Sequence, residues 1–321
     1  MRSLLIIKLL TGTVLWLVAA TGLAQDDFAI GFSAYDVRDF PRIAALGIDH
    51  VRMDRPDAVT IERARSFGIE VLPIADYGFA DLSDGDAKRP PLPQHRAEWA
   101  RRMVDTWRGM AVPPKRIEVW NEPWHPGFWG GKPNPVEYLE LVKAFAREAW
   151  AVWPNMTLLV CADTGMKEYP TFRRDLLAAD TTGFLNDPRI LPTVHTYVEA
   201  RAPQTVTSNR CGYDLNRFRC AYLDFVAHGH RDPKVWITEF GWETDTVAPG
   251  FYSFSPVSEG AQAAYTVGAL TTFRNSGMVA GAYAFMFKSN DSWNYNFLRP
   301  DNSEKPVVTA LREYLRYLAT K

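Results

Sequence analysis

Eight short apolar runs, each followed by a stretch with helical apolar spacing, constrain this chain more than any other feature. The runs are Phe28–Phe32, His50–Met53, Ile69–Ile74, Ile117–Trp120, Leu158–Cys161, Ile190–His195, Val235–Thr238 and Val279–Phe285. Between and after them, apolar residues recur at helical intervals over Phe40–Ala45, Ile61–Phe67, His95–Met110, Pro135–Trp153, Phe172–Leu177, Leu215–Ala227, Glu259–Asn275 and Val307–Leu318. Strand then helix, repeated eight times, predicts an α/β fold with parallel pairing, and eight units are what a single (β/α)8 TIM barrel needs. Links into the strands are terse, as in Leu46-Gly47-Ile48, Phe67-Gly68 and Ser276-Gly277, whereas those leaving strands four, six, seven and eight are long and aromatic. Long loops therefore collect at the C-terminal face, where barrel enzymes build their sites.

The first 24 residues stand apart from this pattern. Arg2 and Lys8 precede an apolar run over Leu9–Val18, and Gly22-Leu23-Ala24 supplies small residues before a cut, so 1–24 is expected to be a signal peptide and 25–321 the catalytic domain. A secreted or periplasmic location follows, with no membrane span after the leader. The formal net charge of −1, with both signs scattered, favours neither nucleic acid nor an anionic membrane as a partner. A monomer is the expectation. Cys211 and Cys220 either close a small loop, leaving Cys161 as a buried thiol, or all three stay unpaired; no Cys/His spacing suggests a metal, and no cofactor is implied.

Two strand ends carry the chemistry. Val119-Trp120-Asn121-Glu122-Pro123-Trp124 and Trp236-Ile237-Thr238-Glu239-Phe240-Gly241-Trp242 each run from apolar residues into a glutamate. A carboxylate at the exit of a buried strand is costly unless it has a task, and a facing pair fits glycoside hydrolysis, with one acid and one nucleophile. The two lie 117 positions apart; at roughly 37 residues per unit this is strand four to strand seven, nearly opposite across a barrel. Glu122 is therefore read as acid/base and Glu239 as nucleophile, with Glu243 a solvated residue or a substrate contact.

Other residues gather around this pair. Asn121 suits a sugar 2-hydroxyl. His195 and Tyr197 share one side of strand six by their period-two spacing and are placed to touch the nucleophile or orient the acid. Arg52, inside the barrel, needs carboxylate company, either Glu239, whose ionised form it would favour, or Glu118 in a purely structural pair. Trp120, Trp124, Trp129, Trp242, Trp293, Tyr77, Tyr252 and Phe254 offer flat faces for pyranose stacking. His125 is ambiguous, and His228 and His230 read as solvated surface.

On these residues the chain resembles clan A glycoside hydrolases, retaining enzymes on a (β/α)8 barrel. The match rests on Asn121-Glu122 at strand four, Glu239 at strand seven, His195-Thr196-Tyr197 at strand six, Arg52 at strand two and the tail Asn296-Phe297-Leu298-Arg299-Pro300-Asp301 with Lys305-Pro306. Within the clan it is similar to family 5 and family 39, including compact secreted enzymes associated with bacterial exopolysaccharides, and the motifs do not choose among them. Many members end strand eight in Trp; here Tyr283-Ala284-Phe285-Met286-Phe287 stands there, and Phe285 or Trp293 is the expected substitute. The resemblance implies a secreted retaining β-glycosidase, and the spread of aromatics over several loops suggests endo action. A non-catalytic carbohydrate-binding or polysaccharide-export barrel, and a transglycosylase using the same two glutamates, remain open beside it.

Overall fold

The computed structural model describes residues 28–163, 169–203, 215–244, 255–289 and 294–321. Eight strands, β1 (Ala29–Ser33), β2 (His50–Asp54), β3 (Glu70–Ala75), β4 (Arg116–Val119), β5 (Thr157–Cys161), β6 (Ile190–His195), β7 (Val235–Phe240) and β8 (Val279–Ala284), pair in sequence order and all in parallel. The first strand pairs with the last, which closes the barrel. This is the single (β/α)8 architecture expected from the alternation.

Nine α-helices are described around it: α1 (Phe40–Ala45), α2 (Ala58–Arg65), α3 (Arg96–Arg108), α4 (Pro126–Trp129), α5 (Pro135–Val152), α6 (Phe172–Ala179), α7 (Arg217–His228), α8 (Glu259–Asn275) and α9 (Pro306–Leu318). Their starts follow from local chemistry. Asp57 accepts from Thr60 N, Asn134 from Val136 N and Glu137 N ahead of Pro135, and Ser258 from Ala261 N, each supplying an acceptor to first-turn donors that lack a helical partner. The sequence reading had no place for α4, a single turn capped by the ring of His125, which accepts from Gly127 N. Among the described residues no helix is long and apolar enough to cross a membrane. The expected leader and Cys211 lie outside the described residues; Cys161 is buried and free.

The strands bury both faces, as a barrel requires. Their outward side chains join the helices in one large apolar layer, while Ala29, Leu72, Leu159, Trp236 and Tyr283 form a small separate cluster inside the barrel. Above that cluster the interior turns polar. Glu118 on β4 is fully buried and accepts from Arg52 Nε at 2.5 Å, Thr193 Oγ1 at 3.2 Å and Thr238 Oγ1 at 2.8 Å, so four strands converge on one carboxylate.

The interior also corrects one expectation. His228 and His230 are not solvated: His230 is buried with Nε2 against the Ile190 carbonyl at 3.0 Å, and His228 Nε2 meets Asp180 at 3.1 Å. His230 thereby gives a partner to the carbonyl that opens β6, and His228 adds one to the Asp180 carboxylate, which also accepts from Phe184 N and Leu185 N after α6.

Candidate active site

Both strand-end glutamates reach the pocket because the chain breaks strand periodicity just before each. Period two from Glu118 would send Trp120 into the barrel. Instead Trp120 and Glu122 adopt left-handed backbone, φ 69° and 43°, a conformation that non-glycine residues rarely take and that recurs at functional sites. Trp120 thereby swings outward to pack on Tyr77, Trp99 and Trp129, and its indole N–H donates to the Phe128 carbonyl. On β7, Thr238 faces the interior and Glu239 also reaches the pocket; a register irregularity between Ile237 and Phe240 supplies the extra turn.

The two carboxyl groups meet across the mouth. Glu122 is 8% exposed and Glu239 7%, and one oxygen of each, with a ring nitrogen of His195, lie within 4.8 Å of one another. His195 Nδ1 is 2.7 Å from Glu122 Oε1 and 3.5 Å from Glu239 Oε2. Its backbone N–H donates to Asp163, which Arg217 holds at 3.0 Å. Glu239 receives Arg52 Nη1 at 2.7 Å on one oxygen and the Tyr197 hydroxyl at 2.7 Å on the other. Arg52 Nη2 donates to Asn121 Oδ1 at 2.8 Å. Of the two partners considered for Arg52, the structure gives it both, with Asn121 as a third.

These surroundings push the two carboxyls apart in proton affinity. Burial raises the pKa of Glu122, and the hydrogen bond and charge of His195 offset this only in part. Burial acts on Glu239 in the same direction, but the charges of His195 and Arg52 and the hydrogen bonds from Tyr197 and Arg52 outweigh it, so its pKa falls below the usual value. For His195 burial lowers the pKa and the Glu239 and Glu122 carboxylates raise it, the net being upward. One carboxyl that keeps its proton beside one that loses it early is an acid and a base in a single pocket.

Glu122, His195 and Glu239 also meet the spacing of a three-ligand metal site. The Arg52 guanidinium already sits on a Glu239 oxygen, and a second cation there would face its charge directly. Proton chemistry fits the donor set better.

The expected aromatic faces divide into three groups. Trp124 and Trp242 are each 1% exposed, and Trp120 and Trp129 are also buried; packing among rings and helices takes their faces, so the loops rest on them from behind the pocket. Trp242 lies against Phe240 and Tyr265 and donates to the Arg201 carbonyl. Phe285 is half-buried and stands against Tyr197 and Tyr295 at the pocket edge. Trp293, Tyr252 and Phe254 lie outside the described residues. Glu243 is buried rather than solvated. Gly241 joins the β7 and β8 exits: a Cβ there would lie 2.3 Å from the Phe285 carbonyl oxygen, while Phe285 N donates to Phe240 O at 2.8 Å.

Sequence reasoning missed Tyr295, packed on Tyr197, and Asp163, which anchors the His195 backbone. Asp163 was accessible in principle, two residues beyond Cys161 on an inward-facing period.

The sequence matches no family model and no curated protein. Solved structures do match over most of the chain. A GH128 subgroup II endo-β-1,3-glucanase from Sorangium cellulosum aligns at TM-score 0.58 and 14% identity, over 89% of this chain and 98% of its own. Endoglucanase Cel5A from Thermotoga maritima aligns at 0.57 and 14%, over 88% and 96%. A GH39 β-xylosidase from Caulobacter crescentus aligns at 0.60 and 17%, over 92% and 72%. These matches establish that the chain has the barrel fold shared by clan A glycoside hydrolases of families 5, 39 and 128.

Proposed function

We propose that this protein is a secreted retaining β-glycosidase acting on a polysaccharide, with Glu239 as nucleophile and Glu122 as acid/base. The observation that carries the reading is the meeting of these two carboxyls with opposite proton affinities. One oxygen of each lies within 4.8 Å of the other, an approach that supports the close carboxyl pair of retaining sites, roughly 5–5.5 Å apart.

In the first step ionised Glu239 attacks the anomeric carbon and forms a glycosyl ester, while Glu122 gives its proton to the departing glycosidic oxygen. In the second, Glu122, now ionised, takes a proton from water as the water oxygen displaces Glu239 from the sugar, which restores both groups. Arg52 and Tyr197 stabilise the carboxylate before attack and after release. With Asn121 Oδ1 held by Arg52, its amide NH2 is the part offered to the 2-hydroxyl. Endo action is drawn from the activity of two matched enzymes, the Sorangium and Thermotoga glucanases, since the described indoles that suggested it from sequence are buried. Export rests on the 1–24 pattern alone.

The test is intact-mass spectrometry after exposure to activated 2-fluoro glycosides, followed by peptide mapping. A sugar adduct on Glu239 is expected. Turnover of the same donors without an adduct, or an adduct elsewhere, would remove Glu239 from the role.

A further inference from the structure

Arg52 apart, the wall of the mouth formed by the ends of β1, β2 and β3 takes no part in the reaction described above, yet it holds polar groups left without partners. Period two from Ala29 places Ser33 and then Tyr35 inside; the same rule from Arg52 places Asp54 there, and from Leu72 places Asp76. Asp76 is fully buried, and among the described residues neither of its carboxylate oxygens has a hydrogen-bond partner; Ser33 Oγ, also buried, has none. A buried polar atom without a partner is costly, more so when charged, so two such residues, at the ends of the strands either side of β2, call for a ligand.

Charge says what kind. The nearest cation to Asp76 is Arg55, whose Nε lies at 3.8 Å, beyond hydrogen-bond reach, on a side chain 40% exposed. Arg52 is committed to Glu118, Glu239 and Asn121. Asp54 is exposed at the mouth, and burial, then the Asp54 charge, hold Asp76 well above the usual carboxylate range. The five acidic groups on this side, Asp54, Asp76, Glu118, Glu122 and Glu239, thus face Arg52, Arg55 and the shared His195. Tyr35, 45% exposed, stands two residues beyond Ser33 and offers a ring and a hydroxyl at the rim.

We infer that the β1–β3 wall is a subsite for a cationic sugar, a hexosamine with a free ammonium group, met by Asp54 and Tyr35 at the rim with the unpartnered Asp76 and Ser33 behind them. A neutral hydroxyl brings one proton to share and no charge; an ammonium brings three donors and a positive charge to set beside the Asp54 carboxylate. A uronate would meet like charge. The inference rests on the glycosidase reading and specifies its substrate class.

Calorimetry on the full chain carrying Glu122→Gln, which is expected to slow turnover about 10³-fold, reads this directly. The probes are β-linked tetrasaccharides of glucosamine, N-acetylglucosamine and glucose. The free-amine tetramer is expected to bind about tenfold tighter than either neutral one, in line with one charge-assisted contact. That ratio should shrink in high salt, fall toward one in Asp54→Asn and recover in part in Asp54→Glu. Asp54 is exposed, so these variants test the subsite even if Asp76→Asn does not fold. Equal binding of the three probes, binding of none, or a preference that survives Asp54→Asn overturns the inference. Its failure is separable from that of the catalytic assignment: an adduct on Glu239 with amine-blind binding removes only the subsite, and amine-selective binding with no adduct removes only the glycosidase reading.

Discussion

The two ends of the barrel are built from the same ionisable residue types in opposite proportion. At the N-terminal end Glu70 on β3 is the minority: Lys115 reaches it at 2.6 Å, Arg116 at 2.5 Å and His50 at 3.9 Å, and Arg116 also lies over the Trp236 ring at 4.5 Å. These residues border a cavity of about 860 Å³ at the foot of the barrel. At the C-terminal end Arg52 is the minority, reaching two carboxylates and an amide while further carboxyls stand nearby. A surplus of cations around one anion is an ordinary ion-pair cluster, open to water and easily satisfied. A surplus of buried carboxyls around one cation is unstable by itself and is the arrangement that separates proton affinities. The lower end is an ion-paired foot, and the upper end has the asymmetry that the proposed reaction would use.

That contrast breaks if substitutions at the two ends have similar effects. The largest effect is expected at the top. Glu239→Gln should lower kcat by about 10⁴-fold and Glu122→Gln by about 10³-fold, on the scale of losing a nucleophile or a general acid; kcat near wild type in both would end the assignment. Next is Glu118→Gln, which leaves Arg52 short of a carboxylate in a closed interior. A loss of about 3 kcal/mol in stability with kcat reduced about 10–100-fold, KM little changed, would show that Glu118 acts through Arg52. Unaltered kcat in a destabilised protein would make it structural only.

Tyr197→Phe sharpens the comparison through pH. As the proposed nucleophile Glu239 works ionised, so activity is expected above its pKa and lost as pH falls through it. Removing the hydroxyl removes a hydrogen bond that lowers this pKa, and the acid limb of the pH–kcat/KM profile should move to higher pH with a roughly tenfold loss in kcat. As the proposed acid Glu122 works protonated, so activity is expected to disappear as pH rises through its raised pKa, which places the basic limb above the ordinary carboxylate range in both proteins. An acid limb unmoved in Tyr197→Phe would mean the hydroxyl does not tune Glu239. The smallest effect belongs to the foot of the barrel: Glu70→Gln should cost about 1 kcal/mol and lower Tm by roughly 2 °C, with kcat unchanged. A pronounced loss of activity there would refute the division of labour between the ends.

Much of this was legible in the residues because regular elements announce themselves by period and glutamates at strand ends are conspicuous. All eight strands lie within a few residues of the apolar runs, and Arg52, Asn121, His195 and Tyr197 do converge on Glu122 and Glu239. What the pattern concealed were departures from it. The positive φ at Trp120 and Glu122 and the shifted register before Phe240 decide which side chains face the pocket, and neither leaves a trace in apolar spacing. The indoles misled for a related reason: a Trp in a loop looks available, yet the loop after β4 folds onto Trp120 and Trp129 and uses them as its floor. Asp76 was passed over because a lone acid after an apolar run reads as a turn residue until its neighbours are known.

Gly241 carries a consequence for how this pocket can change. With no room for even a methyl group against the Phe285 carbonyl, the position tolerates no side chain while the β8 exit stays where it is. A saturation library at 241 should return glycine almost alone, and new substrate preferences would have to be sought at 285, at 295 or along the rim of β1 to β3. The fastest-varying and the most invariant positions around the same sugar are thus expected to be neighbours in space.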